Sequence, residues 1–334
     1  MRQFVLAIML ACAATIPAAA QAIYGSGSTL CYPVMVKWAE AYEKQTGHHI
    51  VYQPIGSDAG ITEIRNGIVD FAVSEAPEDS AQLLRDGFAQ FPLVMGAIVP
   101  VVNIAGVTPG QVRLTGQVLA DIYLGKIKKW NDPAIVAVNP GLALPALRIV
   151  VIHRSEGSGT TFTFANYLAK VSDDWKAKVG EGTVLGWPAG YPGKGNGGVA
   201  EKVGHVWGAI GYVDSAYATR AKLPYALVQN RAGNFVGPDT ETLKAATDGI
   251  DWSRARDFDM LLTDAPAMNA YPIMATSFAL VRRHPKDLGR TRETLAFLRW
   301  VLENGGELAS AQAYLPVPPA LVQQIQGYWE TEIH

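Results

Sequence analysis

A glycine–serine loop occurs twice in this chain. Gly25-Ser26-Gly27-Ser28-Thr29 stands near the start, and Gly157-Ser158-Gly159-Thr160-Thr161 stands near the middle. Glycines in such loops let successive backbone N–H groups turn toward one point, and the Ser and Thr hydroxyls add further donors. Gly56-Ser57-Asp58 opens a third helix in the same way, and Arg154 lies just upstream of the second loop. Each helix start carries unpaired N–H groups and about half a positive charge. Arg154 adds a permanent charge in a planar fork suited to oxyanions. One cation among many neutral donors is the chemistry of a small desolvated oxyanion held between two halves of a chain. Each charge-assisted bond is worth about 1.5–3 kcal/mol. Eight or more would overshoot the affinity ceiling of about −18 to −21 kcal/mol, so desolvation must cancel most of the gross gain.

The elements that position these loops alternate between strand and helix. Residues 29–46 read as a helix with Val34, Trp38 and Tyr42 on one stripe and Gly47 as its stop. Residues 49–54 are extended, residues 57–66 helical and residues 68–74 a strand. Residues 91–104 form a long apolar run interrupted by Gly96 and Pro100, of a kind that passes from one lobe to another. Further on, Asp132 and Pro133 mark a helix start as cap and first residue. Residues 149–152 are a strand leading into Arg154, and residues 160–170 are the helix that the second loop opens. A Gly/Pro-rich stretch over 186–198 precedes a helix at 199–206 and a strand at 209–213. Residues 271–281 are strand-like, and helices at 291–303 and 319–331 end the chain. These last helices leave no room for a third domain and are expected to rejoin the first lobe. Alternation of this kind predicts an α/β fold of layered sheet and helix, with ligands beyond the carboxyl ends of the strands.

Composition sets the compartment and excludes several partners. The chain is 49% hydrophobic and 17% charged, with a formal charge of −2, and this balance gives no reason to expect nucleic acid or anionic lipid as a partner. Residues 1–22 read as a secretory signal peptide: Arg2 is the basic start, residues 4–14 are apolar, and small residues offer cleavage after Ala20 or Ala22. A buried helix and a lipoprotein reading through Cys12 are the alternatives. Removal of the signal leaves roughly 310 residues, enough for two cores. It also leaves Cys31 alone, a packed small hydrophobe in preference to a reactive thiol. Lys126, Lys128 and Lys129 read as a solvated helix end. The stretch Gly193-Lys194-Gly195-Asn196-Gly197-Gly198 lacks the spacing of a nucleotide phosphate loop and reads as a structural turn or a lobe-facing loop.

Taken in order, these segments resemble the periplasmic phosphate-binding proteins of ABC phosphate importers, the PstS family. The resemblance runs through nearly all of the chain after residue 22. It is carried by Tyr24-Gly25-Ser26-Gly27-Ser28-Thr29, Tyr52-Gln53-Pro54-Ile55-Gly56-Ser57 and Val69-Asp70-Phe71-Ala72-Val73-Ser74-Glu75-Ala76-Pro77, and then by Asp121-Ile122-Tyr123-Leu124-Gly125-Lys126-Ile127-Lys128-Lys129-Trp130, Gly157-Ser158-Gly159-Thr160 and Gly208-Ala209-Ile210-Gly211-Tyr212-Val213. The resemblance implies a two-lobed periplasmic binding protein of type II, each lobe a sheet flanked by helices, with the ligand in the cleft. It implies a first lobe of residues 23–98 plus 273–334, a second of residues 99–272, and hinges near 91–104 and 271–281. It also implies a monomeric, periplasmic, non-enzymatic protein without a cofactor that hands phosphate to a membrane permease.

The family's site residues carry over to Thr29, Leu30, Ser57, Arg154, Ser158, Gly159 and Thr160 as the anion's donors. An aspartate in the family accepts the proton that phosphate has and sulfate lacks; here the position is Glu75. The aspartate that braces the family's arginine is here Glu156. Both carboxylates are one methylene longer than the family pattern, so either the backbone retreats or the side chain folds into another rotamer. Glu75 is expected to keep the proton-accepting role, and an unmet carboxylate facing sulfate would reject it.

Three other functions are compatible with such a scaffold. One is binding of another tetrahedral oxyanion: arsenate matches phosphate in shape and protonation, while Glu75 argues against sulfate. A secreted phosphatase would need a metal cluster or an activated nucleophile. The histidines His48, His49, His153, His205, His284 and His334 show no ligand spacing, and Ser158 has no evident base. An adhesion or signalling role would need an added domain or a large apolar patch.

Overall fold

The computed structural model describes residues 22–334, so the expected signal peptide lies, apart from Ala22, outside the described residues. Among the described residues, the strands of the main sheet run in the order Ile50–Gln53, Ile23–Gly27, Phe71–Ser74, Met274–Arg282, Phe88–Val102, Ala209–Asp214, Val150–Arg154 and Tyr191–Gly193. The first three are mutually parallel, and so are the last three. Phe88–Val102 joins the two groups. Its first part pairs antiparallel with Met274–Arg282, and its second part, from Ile98, pairs antiparallel with Ala209–Asp214. The apolar run read at 91–104 lies, up to Val102, in this one unbroken 15-residue strand, which is buried throughout and pairs with both groups. Gly96 does not interrupt it, and Pro100, which has no N–H to give, still accepts from Ala226 N through its carbonyl.

Local sequence explains the helix boundaries. The first helix spans Tyr32–Thr46 and ends on Gly47, which takes a left-handed φ of 77°. Its stripe of Val34, Trp38 and Tyr42 is buried, as the spacing predicts. It begins at Tyr32 and not at Thr29 because a helical Thr29 carbonyl would need an N–H from Pro33, which has none. The freed carbonyls of Thr29 and Leu30 accept instead from the hydroxyls of Tyr217 and Tyr314, at 2.7 and 2.8 Å. Asp132 caps the helix Pro133–Ala137 as expected, accepting from Ala134 N at 3.0 Å. The strand expected from residue 68 starts only at Phe71, because Asp70 is turned out to accept from Tyr24 N and to pair with Arg290.

The C-terminal helices Leu288–Asn304 and Pro319–Glu332 do return to the first group of strands. Trp38 Nε1 donates to Gly305 O at 2.9 Å, Phe297 meets the Tyr42 ring edge-on at 5.2 Å, and Trp329 meets Phe91 at 4.9 Å. A segment from the second half of the chain also reaches this side. Asp257 is fully buried, accepts from Arg283 Nη2 at 2.6 Å, and its carbonyl accepts from Gln90 Nε2 at 3.1 Å. Cys31 is buried with its Sγ 3.7 Å from the Tyr52 hydroxyl, and burial pushes its thiol pKa up, so it packs as a small apolar group.

Candidate functional site

The parallel strands of both groups end at one cleft, and the residues singled out from sequence follow directly on those ends. Thr29 and Leu30 follow Ile23–Gly27, Ser57 follows Ile50–Gln53, and Glu75 follows Phe71–Ser74. From the other group, Arg154 ends Val150–Arg154, and Glu156 to Thr160 lead into the helix Gly159–Val171. This is the carboxyl-end placement that layered α/β sheets give their ligand sites. Ser57, Glu75, Arg154, Ser158 and Thr160 are all buried, and Thr29 nearly so.

The two sides touch across the cleft. Gly159 N donates to Ser57 Oγ at 2.9 Å, the Thr183 hydroxyl donates to Asp58 Oδ2 at 2.8 Å, and the Tyr217 hydroxyl donates to Thr29 O at 2.7 Å. Glycine is required at the contact. A Cβ on Gly159 would stand 2.5 Å from Glu75 N, and one on Gly157 would stand 2.1 Å from Asp58 Oδ2. The second loop is therefore glycine-rich partly because the opposite lobe occupies the space a side chain would fill.

Arg154 is held from behind. Its Nε donates to Glu156 Oε1 at 2.8 Å, and its Nη2 contacts the same oxygen. Glu156 Oε1 also accepts from Gly195 N at 2.9 Å, and Oε2 accepts from the Ser155 hydroxyl at 3.0 Å. Partial burial pushes the Glu156 carboxyl pKa up, but the Arg154 charge and hydrogen bonds outweigh it and the net shift is down. Glu156 thus stays ionised and balances the cation. The longer side chain reaches the arginine through one oxygen, which consumes two guanidinium nitrogens. Arg154 Nη1 is buried with no hydrogen-bond partner among the described residues.

Glu75 is the carboxylate of the opposite lobe. Ser277, from the strand Met274–Arg282, donates its hydroxyl to Oε1 at 2.9 Å, while Oε2 is buried without a hydrogen-bond partner among the described residues. Burial raises the Glu75 pKa. The nearby Ser28 hydroxyl, the Ser277 hydrogen bond and the Arg154 charge oppose the rise without cancelling it. Among the described residues, Arg154 Nη1 and Glu75 Oε2 are thus buried and unpartnered, each anchored by its group's other atoms, and Asp214 Oδ2 is a further buried carboxylate oxygen without a partner.

Two of the residues expected as donors also make local hydrogen bonds. Leu30 N donates within its own loop to Ser28 Oγ at 2.9 Å, because the loop turns back on itself before the helix begins. The Ser158 hydroxyl accepts from Thr161 N at 3.1 Å as the cap of its helix, which leaves its proton free to donate outward.

The structure also adds residues the sequence reading missed. The stretch 193–198 does face the first lobe, but as a strand end and a helix start: the helix is Gly195–His205, not 199–206. Its Asn196 donates to the hydroxyls of Thr29 and Thr160. Asp214, wholly buried, accepts from the Tyr314 hydroxyl at 2.8 Å. Burial pushes its carboxyl up to about 8 against the Tyr314 and backbone hydrogen bonds. The signal for Asp214 was present in the sequence as an acidic residue ending the apolar strand 209–213. His153 stacks on Trp187 at 4.8 Å, turned from Arg154's side of the strand as alternation predicts.

Residues 13–304 match the family model for the PBP superfamily domain. The phosphate-binding protein PstS of Xylella fastidiosa strain 9a5c is 49% identical over 310 residues, spanning 93% of this chain and 85% of the relative. This chain belongs to the PstS family. The PstS of Haemophilus influenzae is 45% identical over 320 residues and 96% of both chains. The fold agrees. A phosphate-binding protein from Stenotrophomonas maltophilia superimposes with a TM-score of 0.69 at 18% identity, covering 92% of this chain and 94% of that one. A high-affinity periplasmic phosphate-binding protein (PfluDING), solved with phosphate, superimposes with a TM-score of 0.71 at 19% identity, covering 92% and 93%. The two-lobed architecture expected for this PstS chain is the architecture these neighbours have.

Proposed function

We propose that this PstS protein captures inorganic phosphate between its lobes and delivers it to an ABC-type importer. The observation that carries the choice of ligand is the pair of buried, unpartnered atoms on opposite sides of the cleft, Arg154 Nη1 and Glu75 Oε2. An oxyanion that accepts from the first and donates a proton to the second matches both. Hydrogen phosphate does so; sulfate at neutral pH leaves the carboxylate facing bare oxygen, a repulsive contact in a buried site. Thr29, Ser57, Ser158 and Thr160 supply neutral donors, and Gly159 joins them if its N–H leaves Ser57 Oγ. Leu30 joins them if its N–H leaves Ser28, and Glu156 holds Arg154 in place. Arsenate fits on the same grounds.

The lobes are 23–98 plus 273–334 and 99–272, with the segment around Asp257 reaching back to the first. They close about the strands at 91–104 and 271–281, and closure completes the donor shell. The protein works as a periplasmic monomer, exported by the signal at residues 1–22, and docks in its closed form on the inner-membrane permease. The carrier reading, in preference to a phosphatase, is supported by the names of its relatives as phosphate-binding proteins and by Ser158 Oγ serving as a helix cap. No described helix is long and apolar enough to cross a membrane. Dialysis of purified protein against radiolabelled phosphate tests the reading. One phosphate retained per chain is expected, and none retained overturns it.

A further inference from the structure

We propose that Asn196 is a positioning residue that forces the Thr29 and Thr160 hydroxyls to act as donors to the anion, and does so for Thr29 only when the lobes are closed. This rests on the phosphate reading above. Asn196 is the second residue of the helix Gly195–His205 and is fully buried. Its amide orientation is fixed by chemistry: Asp214 N donates to Oδ1 at 2.8 Å, and a backbone N–H can only donate. The Nδ2 group must therefore face the cleft. One of its two hydrogens goes to Thr29 Oγ1 at 2.8 Å, across the cleft, and the other to Thr160 Oγ1 at 3.3 Å on its own side. Asn196 N also donates to Thr29 Oγ1, at 3.2 Å.

A threonine hydroxyl has two lone pairs and one proton. Both lone pairs of Thr29 Oγ1 are taken by donors from Asn196, so its proton has only one use, donation to a third group. Thr160 has one lone pair taken, which biases it the same way. Hydroxyls are otherwise free to rotate and to accept, and a hydroxyl that accepts from its surroundings at the wrong angle gives an anion nothing. Asn196 sets the sign of two donors without touching the ligand. Because Thr29 belongs to the other lobe, that sign is set by closure, which links donor orientation to the conformation the permease receives.

Calorimetry with inorganic phosphate tests this on six variants of the full chain: Asn196→Ala, Asn196→Asp, Thr29→Ser, Thr29→Val, and Asn196→Ala combined with each Thr29 substitution. Asn196→Ala is expected to weaken binding about tenfold, the equivalent of one neutral hydrogen bond. Asn196→Asp keeps the shape and the bond from Asp214 N but draws the hydroxyl protons to itself. It is expected to weaken binding at least about 100-fold, in the range of a hydrogen bond to charge. The Asn196→Ala loss should persist in a Thr29→Ser background, which keeps the hydroxyl, and shrink below threefold in Thr29→Val, which removes it. Should Asn196→Ala fail to fold, as read from its melting without phosphate, the near-isosteric Asn196→Asp in the same two backgrounds carries the test. Equal losses for Ala and Asp, or an undiminished loss in Thr29→Val, overturn the inference while phosphate binding by the unmodified protein stands. Absence of phosphate binding by the unmodified protein overturns both this inference and the reading beneath it.

Discussion

Gly159→Ala probes closure with a single methyl group. The added Cβ would lie 2.5 Å from Glu75 N and 2.9 Å from both Ala76 N and Glu75 Cα, whereas ordinary contact begins at 3.4 Å. The obstructing atoms are backbone at the end of a central strand of the opposite lobe, so no side chain can swing aside. The lobes must stop about 1 Å short, by the difference of those distances. That gap stretches the 2.9 Å bond from Gly159 N to Ser57 Oγ beyond hydrogen-bonding range and misaligns the donors facing the anion. Loss of one neutral bond, about 0.5–1.5 kcal/mol, and one charge-assisted bond, about 1.5–3 kcal/mol, sums to roughly 2–4.5 kcal/mol, or about 30- to 2,000-fold in affinity. The phosphate-free protein should melt within about 2 °C of wild type or slightly above it, since alanine favours the helix that Gly159 begins. Calorimetry gives the affinity, and small-angle scattering with and without phosphate gives the compaction. A variant that binds within threefold of wild type and compacts fully would refute the claim that this contact limits closure.

Three further outcomes follow from the same geometry. Glu75→Gln removes the proton acceptor and offers sulfate a donor, so the phosphate-to-sulfate affinity ratio should fall about 10- to 100-fold, the range of one charge-assisted bond; competition calorimetry checks it, and an unchanged ratio counts against the role of Glu75. Asp214 titrates near 3.8 when unfolded and near 8 when folded, so between those values the folded chain holds a proton the unfolded chain has lost. Its contribution is full below the unfolded value and is lost as pH rises through the folded one. Asn at 214 removes that dependence, and the melting temperature of Asp214→Asn minus that of wild type should grow from about pH 5 to about pH 8.5. Arg283→Ala strands the buried Asp257 carboxylate and should cost about 3–5 kcal/mol of stability. Arg283, just past the end of the strand Met274–Arg282, lies six residues, or roughly 20 Å, from Ser277 at the site, so denaturant melts should show the loss while phosphate affinity stays within threefold.

The parts of the fold that were legible in the sequence are those with local causes. Gly47, the Asp132–Pro133 pair and the stripe of Val34, Trp38 and Tyr42 each carry their own signal, and the crossing strand announced itself by the length of its apolar run. The loops at 25–29, 56–58 and 157–161 were legible because glycine and hydroxyl residues before a helix have few other uses together. What escaped was set by tertiary contact. Asn196 stood in a glycine-rich stretch whose composition reads as a turn, and only the strand Tyr191–Gly193 beside Val150–Arg154 makes that stretch a helix start. Ser277 lay inside an apolar run where its hydroxyl, directed to Glu75, left no periodic trace. The Leu30 N–H donates to the Ser28 hydroxyl beside it, a bond set by the way the loop turns back and not announced by its residue types. The helix start at Tyr32 follows from Pro33, which has no N–H to offer the Thr29 carbonyl.

The central claim is that a buried guanidinium and a buried carboxylate on opposite lobes select an oxyanion that carries a proton. Calorimetric titration of the unmodified protein with phosphate and, separately, with sulfate at about pH 7.5 tests it most directly. One phosphate bound per chain is expected, with sulfate at least about 100-fold weaker, the cost of an unpaired buried carboxylate against the anion. Equal affinity for the two anions would contradict it.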